Sequence, residues 1–176
     1  MNLPNKLTIL RILMIPFFIV FLMMGFHYVA AVIFVAAAAT DALDGKIARK
    51  YNLITNFGKI MDPLADKLLV VSALICMVEL GWIPGWMVIV ILAREFIITG
   101  LRTVAAGEGL IIAAGKSGKF KTVLQMVAIS VLLLKDWPFS LFTELPVGMA
   151  LLWAAVIMTV YSGVEYIVKN KNVFRQ

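Results

Sequence analysis

Four aspartates lie within a short stretch of the chain at spacings that align each pair on one side of a helix. Asp41 and Asp44 are three residues apart, and Asp62 and Asp66 are four apart. Carboxylates held together in a low-dielectric site repel one another unless protons or cations neutralise them. Their oxygens suit hard ions such as Mg²⁺ and Mn²⁺, and Mg²⁺ completes its shell with substrate phosphate. The spacing therefore predicts one or two divalent ions that face a phosphate group.

Small residues accompany these aspartates at helical spacing. Gly45 and Ala48 follow the first pair, and Gly58 precedes the second pair by one turn. Small residues permit close helix packing in a membrane, and they also leave room for a bulky substrate group, so both interpretations stay open. Arg49 is predicted to bind a diphosphate, and its alternative role is an ion pair with an aspartate.

The composition places these residues in a membrane protein. Of the 176 residues, 62% are hydrophobic and 15% are charged, whereas about a quarter of a soluble domain is charged. A soluble globular domain and a disordered chain are therefore excluded. The formal charge of +6 indicates membrane orientation and affinity for anionic lipid, not for nucleic acid. Cys76 is the only cysteine, so no intrachain disulfide can form.

The apolar runs predict an all-α integral membrane protein with six transmembrane helices. Residues 12–39 contain no Asp, Glu, Lys or Arg, and this run exceeds the 20 or so residues that one span needs. It is divided at Gly25-Phe26-His27, where turn-forming residues interrupt it. Four more helices are predicted, over 57–80, 85–106, 117–134 and 146–168. No internal repeat or linker interrupts the chain, so residues 1–176 are predicted to form a single membrane domain.

The basic residues predict the orientation of these helices. With six spans, every Lys and Arg except Arg94 and Lys135 falls at the termini or in the second and fourth connections, which share one side. Basic residues favour the cytoplasmic side, so both termini and the aspartates are predicted to face the cytoplasm from a multi-pass protein of the cell membrane. A cleaved signal peptide is the alternative for the N-terminus, but its apolar core is usually only about 7–15 residues long.

The complete run of fixed positions resembles the signature of a known family. It reads Asp41-x2-Asp44-Gly45-x2-Ala48-Arg49-x8-Gly58-x3-Asp62-x3-Asp66 and is similar at every position to that of the CDP-alcohol phosphatidyltransferases. The resemblance implies the CDP-alcohol phosphotransferase fold, a homodimer, a Mg²⁺ or Mn²⁺ cofactor and displacement of CMP from a CDP-linked substrate by an alcohol. It assigns Asp41, Asp44 and Asp62 as metal ligands. Asp66 becomes the general base and a further metal ligand, and Gly45, Ala48, Arg49 and Gly58 shape the CDP pocket.

Cations elsewhere in the chain indicate an acceptor alcohol that carries its own phosphate. Arg94 and Glu95 lie inside an apolar helix, where charge is costly and by default marks function, although an internal ion pair is the alternative. Arg102 follows two turns later. Lys116, Lys119 and Lys121 open the fifth helix, whose N-terminus favours an anion. The alternative for these lysines is ordinary cytoplasmic retention charge.

These segments resemble the phosphatidylglycerophosphate synthase branch of the family, as does the opening Asn2-Leu3-Pro4-Asn5-Lys6-Leu7-Thr8-x2-Arg11. The resemblance implies CDP-diacylglycerol as donor and sn-glycerol 3-phosphate as acceptor. By this resemblance, the contacts of the acceptor phosphate are Arg94, Arg102, Lys116, Lys119 and Lys121. Asn5, Thr8 and Arg11 border the CDP-lipid phosphates. Alternative acceptors are serine, inositol or a second phospholipid. Intramembrane acids also mark ion paths, so a divalent-cation transporter remains an alternative, and a purely structural scaffold explains the aspartates least.

Overall fold

The computed structural model describes the backbone of residues 3–50, 56–107, 115–142 and 144–170, and the side chains in these ranges except those of 3–4, 41–50, 56–57 and 59–60. This part of the chain is all helical, with six α-helices and one short 3₁₀ helix. The α-helices are α1 Leu3–Met23, α2 His27–Lys50, α3 Asn56–Glu79, α4 Gly85–Gly107, α5 Lys116–Leu133 and α6 Val147–Lys169. The predicted helices are confirmed to within one residue at most of their ends. The 3₁₀ helix, Phe139–Leu141, was not predicted.

Glycines with left-handed backbone conformations produce the two tight connections. Gly25 has φ +86° after α1, and Gly81 has φ +70° after α3. Residues with a Cβ rarely adopt such angles, which explains why the apolar run divides where Gly25 occurs. Pro84 and Pro146 immediately precede α4 and α6, where a missing N–H costs nothing because the first turn of a helix leaves its N–H groups unpaired.

Three connections meet at one end of the bundle, here called the turn end. The His27 ring, at the start of α2, lies 5.0 Å from the Trp82 ring, in the connection from α3 to α4. The Lys135 ammonium, after α5, lies 3.3 Å from the centroid of the same Trp82 ring. Asp136 then accepts a hydrogen bond of 2.5 Å from the backbone N–H of Gly148 in α6. Successive helices therefore run in alternating directions, and the opposite end carries the predicted functional residues.

The six helices form two groups of three. In the first group α1 packs against α2 and α3, and in the second group α6 packs against α4 and α5. Contacts of α3 with α4 and α5, and of α2 with α5, join the groups. Large apolar side chains fill the centre, and the rings of Phe18 and Phe34 lie 5.9 Å apart within it. Alanines such as Ala37, Ala73 and Ala128 are buried where the helices approach closely, as expected for helices packed in a membrane.

Large apolar side chains also cover the outside of the bundle. Each helix exposes at least one, for example Phe17, Val32, Leu64, Ile89, Val123 and Ile157. Such a surface suits lipid and not water. By length and composition, two of the described helices suffice to cross a membrane, over Asn5–Met23 and Val147–Lys169, and His27–Thr40 is a shorter apolar segment. The membrane character is therefore supported, whereas the number of six spans stays a prediction.

Candidate active site

Asp62 and Asp66 lie one turn apart on α3, at the end of the bundle opposite the turn end. Both side chains are partly buried. Asp62 accepts a hydrogen bond of 2.5 Å from the Thr8 hydroxyl of α1. A hydroxyl that donates to a carboxylate forms a charge-assisted bond, which fixes the rotamer of the acid. α1 therefore positions one of the two aspartates that α3 supplies.

The other two predicted metal ligands, Asp41 and Asp44, lie in the last part of α2, which is helical to Lys50. Their side chains, together with those of Gly45, Ala48 and Arg49, lie outside the described residues. Among the side chains that are described, no group of three or more His, Cys, Asp or Glu suited to a metal ion occurs. The juxtaposition of all four carboxylates therefore stays a prediction. Gly58 is buried one turn before Asp62, as a closely packed position requires.

The polar face of α1 is buried against α2 and α3. Asn5, Thr8 and Arg11 recur every three residues, and their exposed fractions are 8%, 0% and 0%. Arg11 donates from Nε to the carbonyl oxygen of Ala37 over 3.3 Å, one turn before Asp41. These side chains were predicted to border the CDP-lipid phosphates. The structure gives Thr8 and Arg11 protein partners close to the aspartates, and the contact with lipid phosphate stays a prediction.

Asp66 lines a cavity between α3, α4 and α5, here called the amphipathic cavity. Its polar residues lie together, and its other side is apolar. The polar residues include Asp66, Lys67, Glu95, Lys121 and Gln125, and the apolar ones include Val70, Val71, Leu74, Ile91, Leu92, Phe96 and Met126. Such a lining accepts a molecule that has a charged group at one end and hydrocarbon at the other.

Charged side chains of α4 and α5 form an ion cluster at this cavity. Lys121 is only 2% exposed, and its ammonium lies 2.8 Å from Oε1 of Glu95. The Arg94 guanidinium lies 3.2 Å from the same oxygen. A lysine this deeply buried requires an anionic partner, because an unpaired ammonium inside a protein is very costly. Lys121 was predicted to contact phosphate, and in the structure its ammonium forms an ion pair with Glu95. The phosphate contact stays a prediction.

A second cavity, here called the cationic cleft, lies between α4, α5 and α6. It holds about 190 Å³ of space, and it is lined by three of the predicted phosphate ligands, Arg94, Arg102 and Lys119. One water needs only about 15 Å³, so a small solute fits. Lys121 lines the neighbouring cavity instead. Lys116 is exposed at the start of α5 and does not line the cleft.

Arg102 of the cationic cleft is held by α6. Arg102 donates from Nε to the Tyr166 hydroxyl over 3.1 Å, and its guanidinium lies 5.5 Å from the Tyr166 ring centroid. Arg94 is buried at Nε, and no described residue accepts a hydrogen bond from that nitrogen. Arg94 and Arg102 both line the cleft, and planar guanidinium groups bind oxyanions well. The cleft therefore suits a phosphate group.

Two glycines make the space that Arg94 occupies. A Cβ at Gly118 of α5 would lie 3.1 Å from Arg94 Nη2, and a Cβ at Gly163 of α6 would lie 3.1 Å from Arg94 Cγ. Both distances are shorter than ordinary van der Waals contact, so any larger residue displaces the arginine. Sequence reasoning missed Gly163 and its neighbour Tyr166. The signal was present, because Ser162, Glu165 and Tyr166 bring polar groups to the last turns of a helix whose first half is apolar.

The sequence matches a known family of membrane enzymes. Residues 1–161 match the family described as CDP-alcohol phosphatidyltransferase. The chain belongs to this family, which is membrane-bound and generally depends on a divalent metal ion. The resemblance seen in the aspartate run is therefore confirmed at the level of the family.

Curated relatives align with nearly the whole chain. CDP-diacylglycerol–glycerol-3-phosphate 3-phosphatidyltransferase of Bacillus subtilis is 48% identical, and the alignment covers 96% of this chain and 95% of the relative. The protein of the same name from Rickettsia typhi is 40% identical over 98% of this chain and 99% of its own length. A probable phosphatidylglycerophosphate synthase of Mycobacterium tuberculosis is 42% identical over 96% of this chain and 81% of its own length.

Replacing Thr8 by Val removes the hydroxyl that holds Asp62 while keeping the volume of the side chain. We expect phosphatidyltransferase activity to fall tenfold or more, because hydrogen bonds to charged groups contribute about 1.5–3 kcal/mol. The measurement is the initial rate of CMP release by the purified variant. Thr8→Ser retains the hydroxyl and should recover most of the rate. Thr103→Val, which removes a hydroxyl bonded to its own helix, is the matched control. Wild-type rates in Thr8→Val would contradict the positioning of Asp62.

Replacing Gly163 by Ala should push Arg94 out of position by a few tenths of an ångström. We expect KM for the acceptor to rise severalfold or more, with a smaller change in kcat, because small displacements of binding groups are costly. Gly118→Ala should act in the same direction. Gly100→Ala is the control, since a Cβ at that helical position meets nothing within 4 Å. An unchanged KM in both Gly163→Ala and Gly118→Ala would show that Arg94 does not contact the acceptor.

Proposed function

We propose that this chain transfers the phosphatidyl group of CDP-diacylglycerol to sn-glycerol 3-phosphate, releasing CMP and forming phosphatidylglycerol phosphate. The relatives aligned over almost the full chain carry the name of this reaction. The observation that carries the proposal is the adjacency of two cavities. The amphipathic cavity contains Asp66, the cationic cleft contains Arg94, Arg102 and Lys119, and the two share Glu95 and Thr122 in their linings. A proton acceptor thus lies beside a place for phosphate.

The donor is proposed to enter from the membrane side of the aspartates. Gly45, Ala48, Arg49 and Gly58 are assigned to the CDP pocket because small residues permit close approach of a nucleotide and arginine binds diphosphate well. Asn5, Thr8 and Arg11 are assigned to the border of the same diphosphate, since α1 carries them to α2 and α3. The acyl chains remain in lipid, which the apolar exterior of the helices supports.

The carboxylates suit a divalent cofactor. Asp62 and Asp66 offer oxygen donors one turn apart, and Thr8 orients one of them. We assign two ions, Mg²⁺ or Mn²⁺, to Asp41, Asp44, Asp62 and Asp66. When bound, these ions would supply positive charge that neutralises the diphosphate and the departing CMP.

The proposed chemistry uses few protein groups. Asp66 accepts the proton of the acceptor's primary hydroxyl. The resulting alkoxide oxygen forms a bond to the lipid-side phosphorus, and the bond from that phosphorus to the CMP oxygen breaks. Arg94, Arg102 and Lys119, with Lys116 at the entrance, hold the acceptor's own phosphate. Lys121 lies in the neighbouring cavity and contributes positive charge there, where it donates a hydrogen bond to Glu95. Most of the acceleration then comes from positioning and charge stabilisation, as phosphoryl transfer generally requires.

The arrangement in the membrane follows from the distribution of charge. Among the described residues, Lys135 is the only lysine or arginine at the turn end, whereas the opposite end holds the cationic cleft. We propose six spans of one domain, 1–176, with both termini and the active site on the cytoplasmic side. The homodimer implied by the family resemblance stays a prediction.

The deciding assay combines purified protein, CDP-diacylglycerol vesicles, Mg²⁺ and labelled glycerol 3-phosphate. We expect labelled phosphatidylglycerol phosphate and an equal amount of CMP. Chelation of the metal should stop both, and added Mg²⁺ or Mn²⁺ should restore them. Serine and inositol should yield no product, because neither carries the phosphate that the cationic cleft suits. Product with one of those alcohols, and none with glycerol 3-phosphate, would overturn the acceptor assignment. Metal flux into vesicles without CMP release would favour a transporter.

Asp66→Asn tests the proposed base. We expect CMP release to fall about 100-fold to 10,000-fold, the usual contribution of a general base, because an amide cannot accept the proton. Asp62→Asn should also abolish turnover through loss of a metal ligand. Asp136→Asn, a matched change at the turn end, should retain activity, since asparagine also accepts a hydrogen bond and tolerates the positive φ of 61° there. Near-normal turnover in Asp66→Asn, with the protein inserted, would exclude Asp66 as the base.

A further inference from the structure

Glu95 is one of two acids, with Glu165, in the lining of a cleft whose arginines and lysines suit an anion. It contributes to the lining of both the cationic cleft and the amphipathic cavity. A negative charge beside a phosphate site weakens phosphate binding, because like charges repel. One reason for its presence is the neutralisation of Lys121 and Arg94. These two ion pairs use only part of the hydrogen-bonding capacity of the Glu95 carboxylate.

Glu95 has one carboxylate oxygen to spare. The described hydrogen bonds from Lys121 and Arg94 both end on Oε1, and no hydrogen bond from a described residue ends on Oε2. The side chain is 24% exposed, so the carboxylate is open toward the cavities. An ionised carboxylate offers about four lone-pair sites, and two donors on one oxygen leave the other available. A ligand with a hydroxyl group can use it.

The remaining side chain common to both linings is a weaker candidate. Thr122 donates its hydroxyl hydrogen to the carbonyl oxygen of Gly118, one turn earlier in α5, over 3.1 Å. Its oxygen is a neutral acceptor, whereas Glu95 offers a charged one. Bonds to charged acceptors are roughly twice as strong as neutral ones. Glu95 is therefore the stronger acceptor at the boundary between the cavities.

The shape of the acceptor places a hydroxyl at this boundary. Glycerol 3-phosphate has a phosphate at one end, the reacting primary hydroxyl at the other and a secondary hydroxyl on the middle carbon. With the phosphate at Arg94 and Arg102 and the primary hydroxyl at Asp66, the middle carbon lies between the cationic cleft and the amphipathic cavity. Glu95 and Thr122 are the residues found there, and Glu95 is the charged one.

We infer that Glu95 Oε2 accepts a hydrogen bond from the secondary hydroxyl of the acceptor and thereby selects an acceptor with a hydroxyl on its middle carbon. This inference rests on the proposed function and adds to it a specificity-determining residue. Lys121 and Arg94 hold the carboxylate in place through Oε1, so Oε2 keeps a fixed orientation. A site built around a substrate hydroxyl rejects analogues that lack it, because its polar group is left unpaired.

The first test uses the wild-type enzyme and two analogues. 3-Hydroxypropyl phosphate retains the phosphate and the primary hydroxyl but lacks the secondary one. Dihydroxyacetone phosphate replaces the secondary hydroxyl by a carbonyl, which cannot donate. We expect kcat/KM for each analogue to be at least about tenfold below that for glycerol 3-phosphate. Equal values for glycerol 3-phosphate and 3-hydroxypropyl phosphate would overturn the inference without any variant.

The second test uses Glu95→Ala and the conservative Glu95→Gln. Direct recognition predicts that activity falls mainly on glycerol 3-phosphate, so that in Glu95→Ala the ratio of its kcat/KM to that of 3-hydroxypropyl phosphate approaches one. Glu95→Gln, which keeps a neutral acceptor of the same shape, should have an intermediate ratio. A purely positioning role through Lys121 and Arg94 predicts equal losses on both substrates and an unchanged ratio. That outcome would overturn the inference.

Glu165→Gln is the matched control. Glu165 also lines the cationic cleft, but it lies on α6 and pairs with Lys169. In this variant the ratio of kcat/KM for glycerol 3-phosphate to that for 3-hydroxypropyl phosphate should stay at the wild-type value. A ratio that falls to one in Glu165→Gln but not in Glu95→Ala would show that Glu165, and not Glu95, recognises the secondary hydroxyl. Failure of the proposed function can be told apart from failure of this inference. In that case the wild-type enzyme would release no CMP with glycerol 3-phosphate.

Discussion

Charge inside a bundle of apolar helices requires a partner, and this requirement determines how the functional end of the molecule is built. An ion taken out of water costs several kcal/mol unless an opposite charge or strong hydrogen bonds replace its solvation. Lys121 meets Glu95 across the contact between α4 and α5, and Thr8 meets Asp62 across the contact between α1 and α3. Each pair therefore joins two helices and orients a reactive side chain with the same contact.

The two ends of the bundle differ in how closely the helices pack. At the turn end, Trp82 contacts both the His27 ring and the Lys135 ammonium, and Asp136 holds the start of α6. At the other end, the helices diverge enough to leave the amphipathic cavity and the cationic cleft. Open space between the helices of a bundle is a common place for a ligand pocket.

The sequence predicted the helices well because their determinants are local. Gly25, Gly81 and the prolines mark chain reversals, and the apolar runs between them have the length of helices. The aspartates of α3 were identified from spacing alone, since residues four apart share a face in any helix. The side chains of Asp41 and Asp44, by contrast, lie outside the described residues, so the four-aspartate arrangement rests on sequence and family.

Partners between helices were harder to predict. Nearly every face of these helices is apolar, so hydrophobic periodicity does not fix their rotation. The phosphate contact of Lys121 stays a prediction, whereas its ion pair with Glu95 of another helix was not predicted. Tyr166 and Gly163 were overlooked because aromatic and small residues in an apolar helix ordinarily serve packing. Their role depends on which way α6 faces, and that is a property of the tertiary structure.

The space around Arg94 links three positions on three different helices. Its side chain fills volume that any Cβ at Gly118 or Gly163 would need. Loss of the arginine would leave a void that larger residues at those two positions could fill, and the effects of changes at the three sites would then be non-additive. Among relatives with this architecture, residues 94, 118 and 163 should therefore vary in concert, with a large cation opposite two glycines or a smaller residue opposite bulkier ones.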